Sequence, residues 1–140
     1  EKLSGKFHLH IPTKFNINDV AQQIVGAMIL SLPFTVTQEA WDLANQLDIY
    51  RIFLIIFITL LFDVLLIYFS KFQQIDISNI VLVFARMFSI ILVSYIATAA
   101  VLYSIGVIGN QITDPIWALK LVILIGLPAN IGAATADILK

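Results

Sequence analysis

Ile49–Ser70 reads IYRIFLIIFITLLFDVLLIYFS, and this stretch decides the fold class of the chain. It is long and apolar enough to cross a bilayer as a helix, which takes about 20 residues. A carboxylate in hydrocarbon costs roughly 2.5 to 10 kcal/mol depending on the method, and such residues normally face a bundle interior and a partner. Asp63 therefore predicts an integral membrane protein with a polar interaction inside its helix bundle.

The composition of the whole chain agrees with a membrane protein. Of its 140 residues, 60% are hydrophobic and 12% are charged, and the mean hydropathy is +0.97. Ordinary soluble domains carry about twice that charged fraction. A net charge of −1 provides no footprint for nucleic acid. Because the chain has no cysteine, disulfides, thiolate metal sites and cysteine nucleophiles are excluded.

The hydropathy pattern predicts an all-α, polytopic protein of the cell membrane with four transmembrane helices. Residues 1–17 form a basic N-terminal arm, and residues 18–140 form the transmembrane domain. Loops between the helices are short, so we expect neighbours in sequence to be antiparallel. The predicted helices cover about residues 19–43, 49–70, 79–108 and 115–139.

The positions of lysine and arginine predict which side of the membrane holds the termini. Three lysines lie in the arm, Lys71 follows the second helix, and Lys140 ends the chain. The other side carries an acidic rim that includes Glu39 and Asp42. Since positive loops remain on the cytoplasmic side, we expect both termini in the cytoplasm.

Depth along the helices matches two opposite-charge pairs. At 1.5 Å per residue, Asp63 and Arg86 each lie about 10 Å from the cytoplasmic surface. Glu39 and Lys120 each lie within about 10 Å of the outer surface. The pairs Asp63–Arg86 and Glu39–Lys120 either lock the bundle by neutralising charge, or form a gate that opens when a cation or proton binds the carboxylate.

The first predicted helix carries a polar stripe. Its small and polar residues recur at helical spacing, and the opposite surface is apolar. The stripe either lines a pathway or packs helices through small residues and hydrogen bonds. Its members are Gln23, Ala27, Ser31, Thr35, Gln38, Asp42 and Asn45, with Glu39 beside them.

Prolines interrupt the first and fourth predicted helices. Pro33 and Pro128 each remove a backbone hydrogen bond, so we expect a kink at each. An aspartate stands nine residues after each proline, at Asp42 and Asp137, and Asn130 shares a helix face with Asp137. The similarity is typical of transporters built from inverted repeats, although purely structural kinks and chance similarity explain it equally well.

His8 and His10 lie on one side of an extended segment in the arm. Two imidazoles with no evident third ligand are a weak metal site, and surface histidines explain them more simply.

The stretch GAMILSLPFTVTQEAWDLA, residues 26–44, resembles a family of uncharacterised prokaryotic integral membrane proteins. Its members share a glycine, a Pro-Phe or Pro-Leu step and a Thr-x-Glu-x-Trp element in the first membrane helix. The resemblance covers one helix and implies no known activity, but it draws attention to Glu39. The matching positions are Gly26, Pro33, Phe34, Thr37, Glu39 and Trp41.

The sequence favours an oligomeric cation channel or cation-coupled transporter that uses intramembrane carboxylates. Glu39 and Asp42 would hold a metal cation such as Ca²⁺ or Na⁺ at the outer side, since hard cations take oxygen ligands. Asp63 with Arg86 would form the inner gate, and Asp137 would line the exit. The alternative is a structural or accessory subunit whose buried ion pairs serve assembly. No nucleophile–base constellation or cofactor motif points to an enzyme, and the expected partners are the lipid bilayer, an inorganic cation and further copies of the chain.

Overall fold

The computed structural model describes residues 17–71 and 80–138, and these two ranges form helices joined by short turns. The predicted all-α membrane fold is confirmed. Three helices, α3 to α5, are long and apolar enough to cross a membrane, and α1 with α2 adds a fourth span if the bent pair counts as one. The predicted arm, with His8 and His10, lies outside the described residues. The helices are α1 (Ile17–Thr35), α2 (Gln38–Gln46), α3 (Ile49–Lys71), α4 (Ile80–Ser104) and α5 (Pro115–Ile138).

The first predicted segment, residues 19–43, is divided into α1 and α2 by a break after Thr35, two residues beyond the kink predicted at Pro33. The chain bends by 88° between α1 and α2. Pro33 lies inside α1, and the helix ends two residues later. Side chains satisfy carbonyls at this end: the Thr37 hydroxyl donates to the Pro33 oxygen at 2.6 Å, and the Trp41 indole donates to the Thr35 oxygen at 3.0 Å. Because orphan carbonyls at a helix end need partners, these bonds stabilise the break.

The third predicted helix is shorter than the 79–108 range expected from hydropathy. It ends at Ser104, and a tight turn over Val107–Gln111 follows. Gly106 and Gly109 have φ values of 83° and 104°, in the left-handed region where glycine carries no steric penalty. The reversal therefore begins at the first of these glycines, inside a stretch that is still apolar. In the fourth segment, α5 runs without interruption through Pro128, and a kink there remains a prediction.

Helix α5 is the central element of the bundle. It packs against α1, α2, α3 and α4, whereas α3 and α4 have little contact with each other. Gly26 on α1 meets Gly132 in the second half of α5, and the Trp117 indole near the start of α5 donates to the Trp41 carbonyl on α2 at 2.8 Å. Because the chain meets an earlier position of α5 as it passes from α1 to α2, α1 runs antiparallel to α5.

Helices α4 and α3 pack against α5 in opposite directions. Helix α4 is antiparallel to α5, since Arg86 contacts Asp137 and Ser94 contacts Asn130. Helix α3 is parallel to α5, since Ile52 packs with Ile123, and Asp63, later on α3, meets Asn130, later on α5. The start of α1 and the end of α5 consequently lie at one end of the bundle, and α2 lies at the other.

Two glycines allow α1 and α5 to touch along their backbones. A Cβ atom at Gly26 would overlap the carbonyl oxygen of Gly132, and a Cβ at Gly132 would overlap the carbonyl oxygen of Gly26. Small residues at such crossings are typical of membrane helices, where close van der Waals packing drives association.

In this bundle several polar side chains are buried, and many large apolar side chains are exposed. On α1 the apolar Ile24, Met28 and Leu32 are exposed, whereas the predicted stripe is buried from Gln23 to Thr35. A lipid surface accepts apolar side chains, so the bundle interior can be polar. The buried polar residues are Asp19, Gln23, Ser31, Thr35, Thr59, Asp63, Ser94, Thr98, Asn130 and Asp137.

Candidate functional site

Asp63 occupies the middle of the polar interior. Its side chain is fully buried on α3, and the Asn130 amide nitrogen on α5 donates to Oδ1. Its Oδ2 atom is buried and has no hydrogen-bond partner in the described part of the chain. A buried acceptor without a donor costs about 1–3 kcal/mol, so this atom marks a place where a proton, cation or water would be bound favourably.

Ser94 joins this pair from α4. Its hydroxyl donates to the Ile90 carbonyl at 2.6 Å, and its oxygen lies 3.5 Å from Asn130 Oδ1. Ser94 and Asn130 are both fully buried. Three helices thus meet around the Asn130 amide of α5, with the Asp63 carboxylate of α3 on its nitrogen side and the Ser94 hydroxyl of α4 on its oxygen side.

Tyr95 forms one wall of the site. Its ring lies against Gly126 of α5, where a Cβ would overlap ring carbons. Its side chain also lies close to Asp63 and to Thr59, which precedes Asp63 by one helical turn. Gly126 therefore admits an aromatic ring beside the buried carboxylate.

Arg86 pairs with Asp137, and the predicted Asp63–Arg86 pair is wrong. The Nη1–Oδ2 distance is 3.4 Å, and the two side chains are 12% and 5% exposed. The reason is the position of α5, which packs against both α3 and α4. Each of the two charged residues consequently meets a partner on α5 rather than the other.

Gln23 and Ser89 form the link between α1 and α4. The Ser89 hydroxyl donates to Gln23 Oε1 at 3.0 Å, while Gln23 Nε2 is buried without a partner among the described residues. Asp19, one turn before Gln23, is also buried. These residues lie towards the end of the bundle that contains Arg86 and Asp137.

Polar side chains therefore follow one another along α5, and we call this row the polar ladder. Its members are Asp137, Arg86, Gln23, Ser89, Asn130 and Asp63. Asp137 lies near the helix end, and Asn130 lies seven residues earlier, about 10 Å deeper at 1.5 Å per residue. Beyond Asn130, towards α2, no charged side chain is buried among the described residues, and the buried polar groups include the hydroxyls of Thr35, Thr59 and Thr98, each of which donates to a carbonyl of its own helix. That half contains the buried cluster Ala44, Leu102, Val107, Ile112, Leu121 and Ile125.

The predicted outer residues lie apart from this ladder. Gln38, Glu39 and Asp42 are exposed on α2. Glu39 and Lys120, both in the described ranges, make no ion pair within 4 Å, so that predicted pair is wrong. The 88° bend takes α2 out of line with α1, which separates these residues from the stripe that ends at Thr35. Glu39 and Asp42 as metal ligands remain a prediction; the described ranges contain no group of three or more acidic or histidine side chains placed to hold a metal.

Sequence reasoning missed several residues of the site. It assigned no role to Thr59, Ser94 or Tyr95. A signal was present, since Thr59 and Asp63, like Ser94 and Thr98, are four residues apart on otherwise apolar helices. Residues four apart share a helix face.

Comparison with known proteins identifies a family. Residues 6–139 match the model of the family described as "Putative integral membrane protein (DUF2391)". Neither the search of curated proteins nor the search of solved structures returned a match.

Proposed function

The chain belongs to the DUF2391 family of integral membrane proteins, and from this premise we propose that it moves a small cation across the membrane. It would do so without enzymatic chemistry, as an oligomeric channel or a cation-coupled transporter, with Asp63 as the central site. The observation that carries the proposal is a fully buried carboxylate with one unpartnered oxygen. Ionisable residues inside a membrane bundle commonly mark ion or proton pathways.

The polar ladder supports access to Asp63 from one side. Asp137 and Arg86 lie at the end of the ladder near the chain termini, and Gln23 follows. Asn130 holds the Asp63 carboxylate about 10 Å deeper in the bundle. A cation entering from the end with the termini would meet polar groups at each step. Asp137 keeps its predicted role of lining the cytoplasmic exit, which is the same end of the bundle.

The apolar half supports a closed state towards α2. Leu121, Ile125 and Leu102 are fully buried there and offer no ligand to a cation. Transport would require this layer to open while the ladder closes, which is alternating access. A channel would require water to enter this apolar layer. Glu39 and Asp42, beyond this layer, keep their proposed role as an outer site for Na⁺ or Ca²⁺.

We place four spans in the membrane and both termini in the cytoplasm. Helix α1 packs against α5 at the Gly26–Gly132 contact, and α2, which follows it, bonds to the start of α5 at Trp41–Trp117, so α1 shares the depth of a spanning helix. Single cysteines introduced into this cysteine-free chain would test the orientation. Labelling of Ile17→Cys from the outside, with Asn110→Cys protected, would contradict it.

Flux into proteoliposomes is the direct test. The purified protein should transport at least one of Na⁺, K⁺, Ca²⁺ or H⁺, and Asp63→Asn should reduce flux more than tenfold because the isosteric amide cannot carry the charge. Asp48→Asn, the same change at an exposed position, is the matched control and should leave flux unchanged. Glu39→Gln and Asp42→Asn test the outer site separately.

An accessory subunit is the second candidate, favoured by the close Gly26–Gly132 packing and the Arg86–Asp137 pair, both of which suit assembly alone. Under it, Asp63→Asn would lower stability or oligomerisation, and well-folded wild-type protein would move none of the four ions. That result would overturn the transport proposal.

A further inference from the structure

The hydrogen bonds around Asn130 leave two oxygen atoms without a good donor. A serine hydroxyl has one proton, and Ser94 directs it to the Ile90 carbonyl at 2.6 Å. The 3.5 Å contact between Ser94 Oγ and Asn130 Oδ1 is therefore an approach of two acceptors, at the limit of hydrogen-bonding distance. On the other side of Asn130, Asp63 Oδ2 is buried and unpartnered in the described structure.

A half-turn of the Asn130 amide would reverse these contacts. Its nitrogen would then donate to Ser94 Oγ, which has lone pairs available, while its oxygen would face Asp63. Two oxygens facing each other in a buried pocket repel unless something positive lies between them. The turned amide therefore requires a proton or a cation bound to the Asp63 carboxylate, between the two oxygens.

We propose that Asn130 is a two-position sensor of the charge on Asp63. When the carboxylate is empty, the amide donates to Asp63. When the carboxylate holds one proton or one Na⁺, the amide turns, its oxygen helps bind that charge, and its nitrogen bonds to Ser94. This inference rests on the proposed role of Asp63 as the cation site and adds the mechanism by which occupancy on α3 reaches α4.

The surroundings agree with a single-charge site. Asp63 from α3 faces Asn130 of α5 and Tyr95 of α4, and the Arg86–Asp137 pair lies further along the ladder. Oxygen ligands suit Na⁺ as they suit a proton, so the structure identifies the shared chemistry and the ions must be separated by experiment.

The test is infrared difference spectroscopy of the purified protein, titrated with acid in choline chloride and, separately, with NaCl at fixed high pH. The Asn130 amide carbonyl band, identified by subtracting Asn130→Ala, should shift together with the Asp63 carboxyl band. A response to acid in choline assigns a proton, and a response to NaCl assigns Na⁺. An Asn130 amide band that shifts in neither titration would overturn the proposal.

Ser94→Ala separates the sensor from a simple binding site. Loss of one hydrogen bond of about 1 kcal/mol should weaken occupancy of Asp63 about fivefold and abolish the amide shift. Ser104→Ala is the matched control, because Ser104 makes the same bond to the carbonyl four residues earlier, at 2.7 Å, on an exposed face. Ser94→Cys, a weaker acceptor of similar shape, should be intermediate and replaces Ser94→Ala if that variant does not fold.

The two proposals fail in different ways. If flux depends on Asp63 while Ser94→Ala titrates as the wild type does, the transport function stands and the sensor is wrong. If the amide and carboxyl bands shift together but no ion crosses the membrane, the sensor stands and the transport function is wrong.

Discussion

Replacing Gly132 by alanine should destabilise the protein, although the same change normally favours a helix. Alanine is better than glycine inside a helix by about 1 kcal/mol. Here the new methyl group would overlap the main-chain carbonyl of Gly26, and a backbone atom cannot rotate away as a side chain can. Overpacking costs typically 1–3 kcal/mol. After subtracting the helix preference of about 1 kcal/mol, the range becomes about 0–2 kcal/mol. Because the overlap is with a main-chain atom, we expect a net loss in the upper half of that range.

The measurement is equilibrium unfolding in detergent, monitored through the two tryptophans, Trp41 and Trp117, which contact each other across α2 and α5. Val25→Ala is a suitable control, since Val25 is exposed next to Gly26 and surface changes usually stay within about 0.5 kcal/mol. Gly26→Ala should also destabilise, and the double variant should deviate from additivity because the two sites touch. A Gly132→Ala protein as stable as the wild type, or more stable, would refute the close packing of α1 on α5.

Two further changes test other parts of the bundle. Trp117→Phe removes the indole bond to the main-chain carbonyl of Trp41 and should cost about 1 kcal/mol in unfolding free energy; an unfolding free energy equal to that of the wild type would contradict this bond. Arg86→Met leaves a buried carboxylate on α5 without its cation and should cost about 3–5 kcal/mol, whereas Arg86→Lys should cost less; equal thermal stability of Arg86→Met and the wild type would contradict the ion pair.

Much of the fold is predictable from hydropathy because a membrane span is a local property of the chain. The segments that became α3 and α5 start and end within one residue of their predicted limits. The polar stripe of α1 was also readable, since residues four apart share a face wherever the helix packs. The helix ends at Thr35, two residues after Pro33. Hydropathy did not locate this end, because the bonds that complete it come from Thr37 and Trp41, which lie further along the chain.

The sequence by itself determined that this is a helical membrane protein with Asp63 and Asn130 among its intramembrane polar residues. Only the tertiary structure decided which of these residues meet. Matching depths gave Asp63 an arginine partner, but depth is one coordinate, and α5 lies between the two helices that carry them. Which helices are neighbours depends on packing across the whole bundle, including the glycine contact of α1 with α5. That arrangement brings Asp63 to an amide instead of a guanidinium and leaves one of its oxygens open to a proton or a cation.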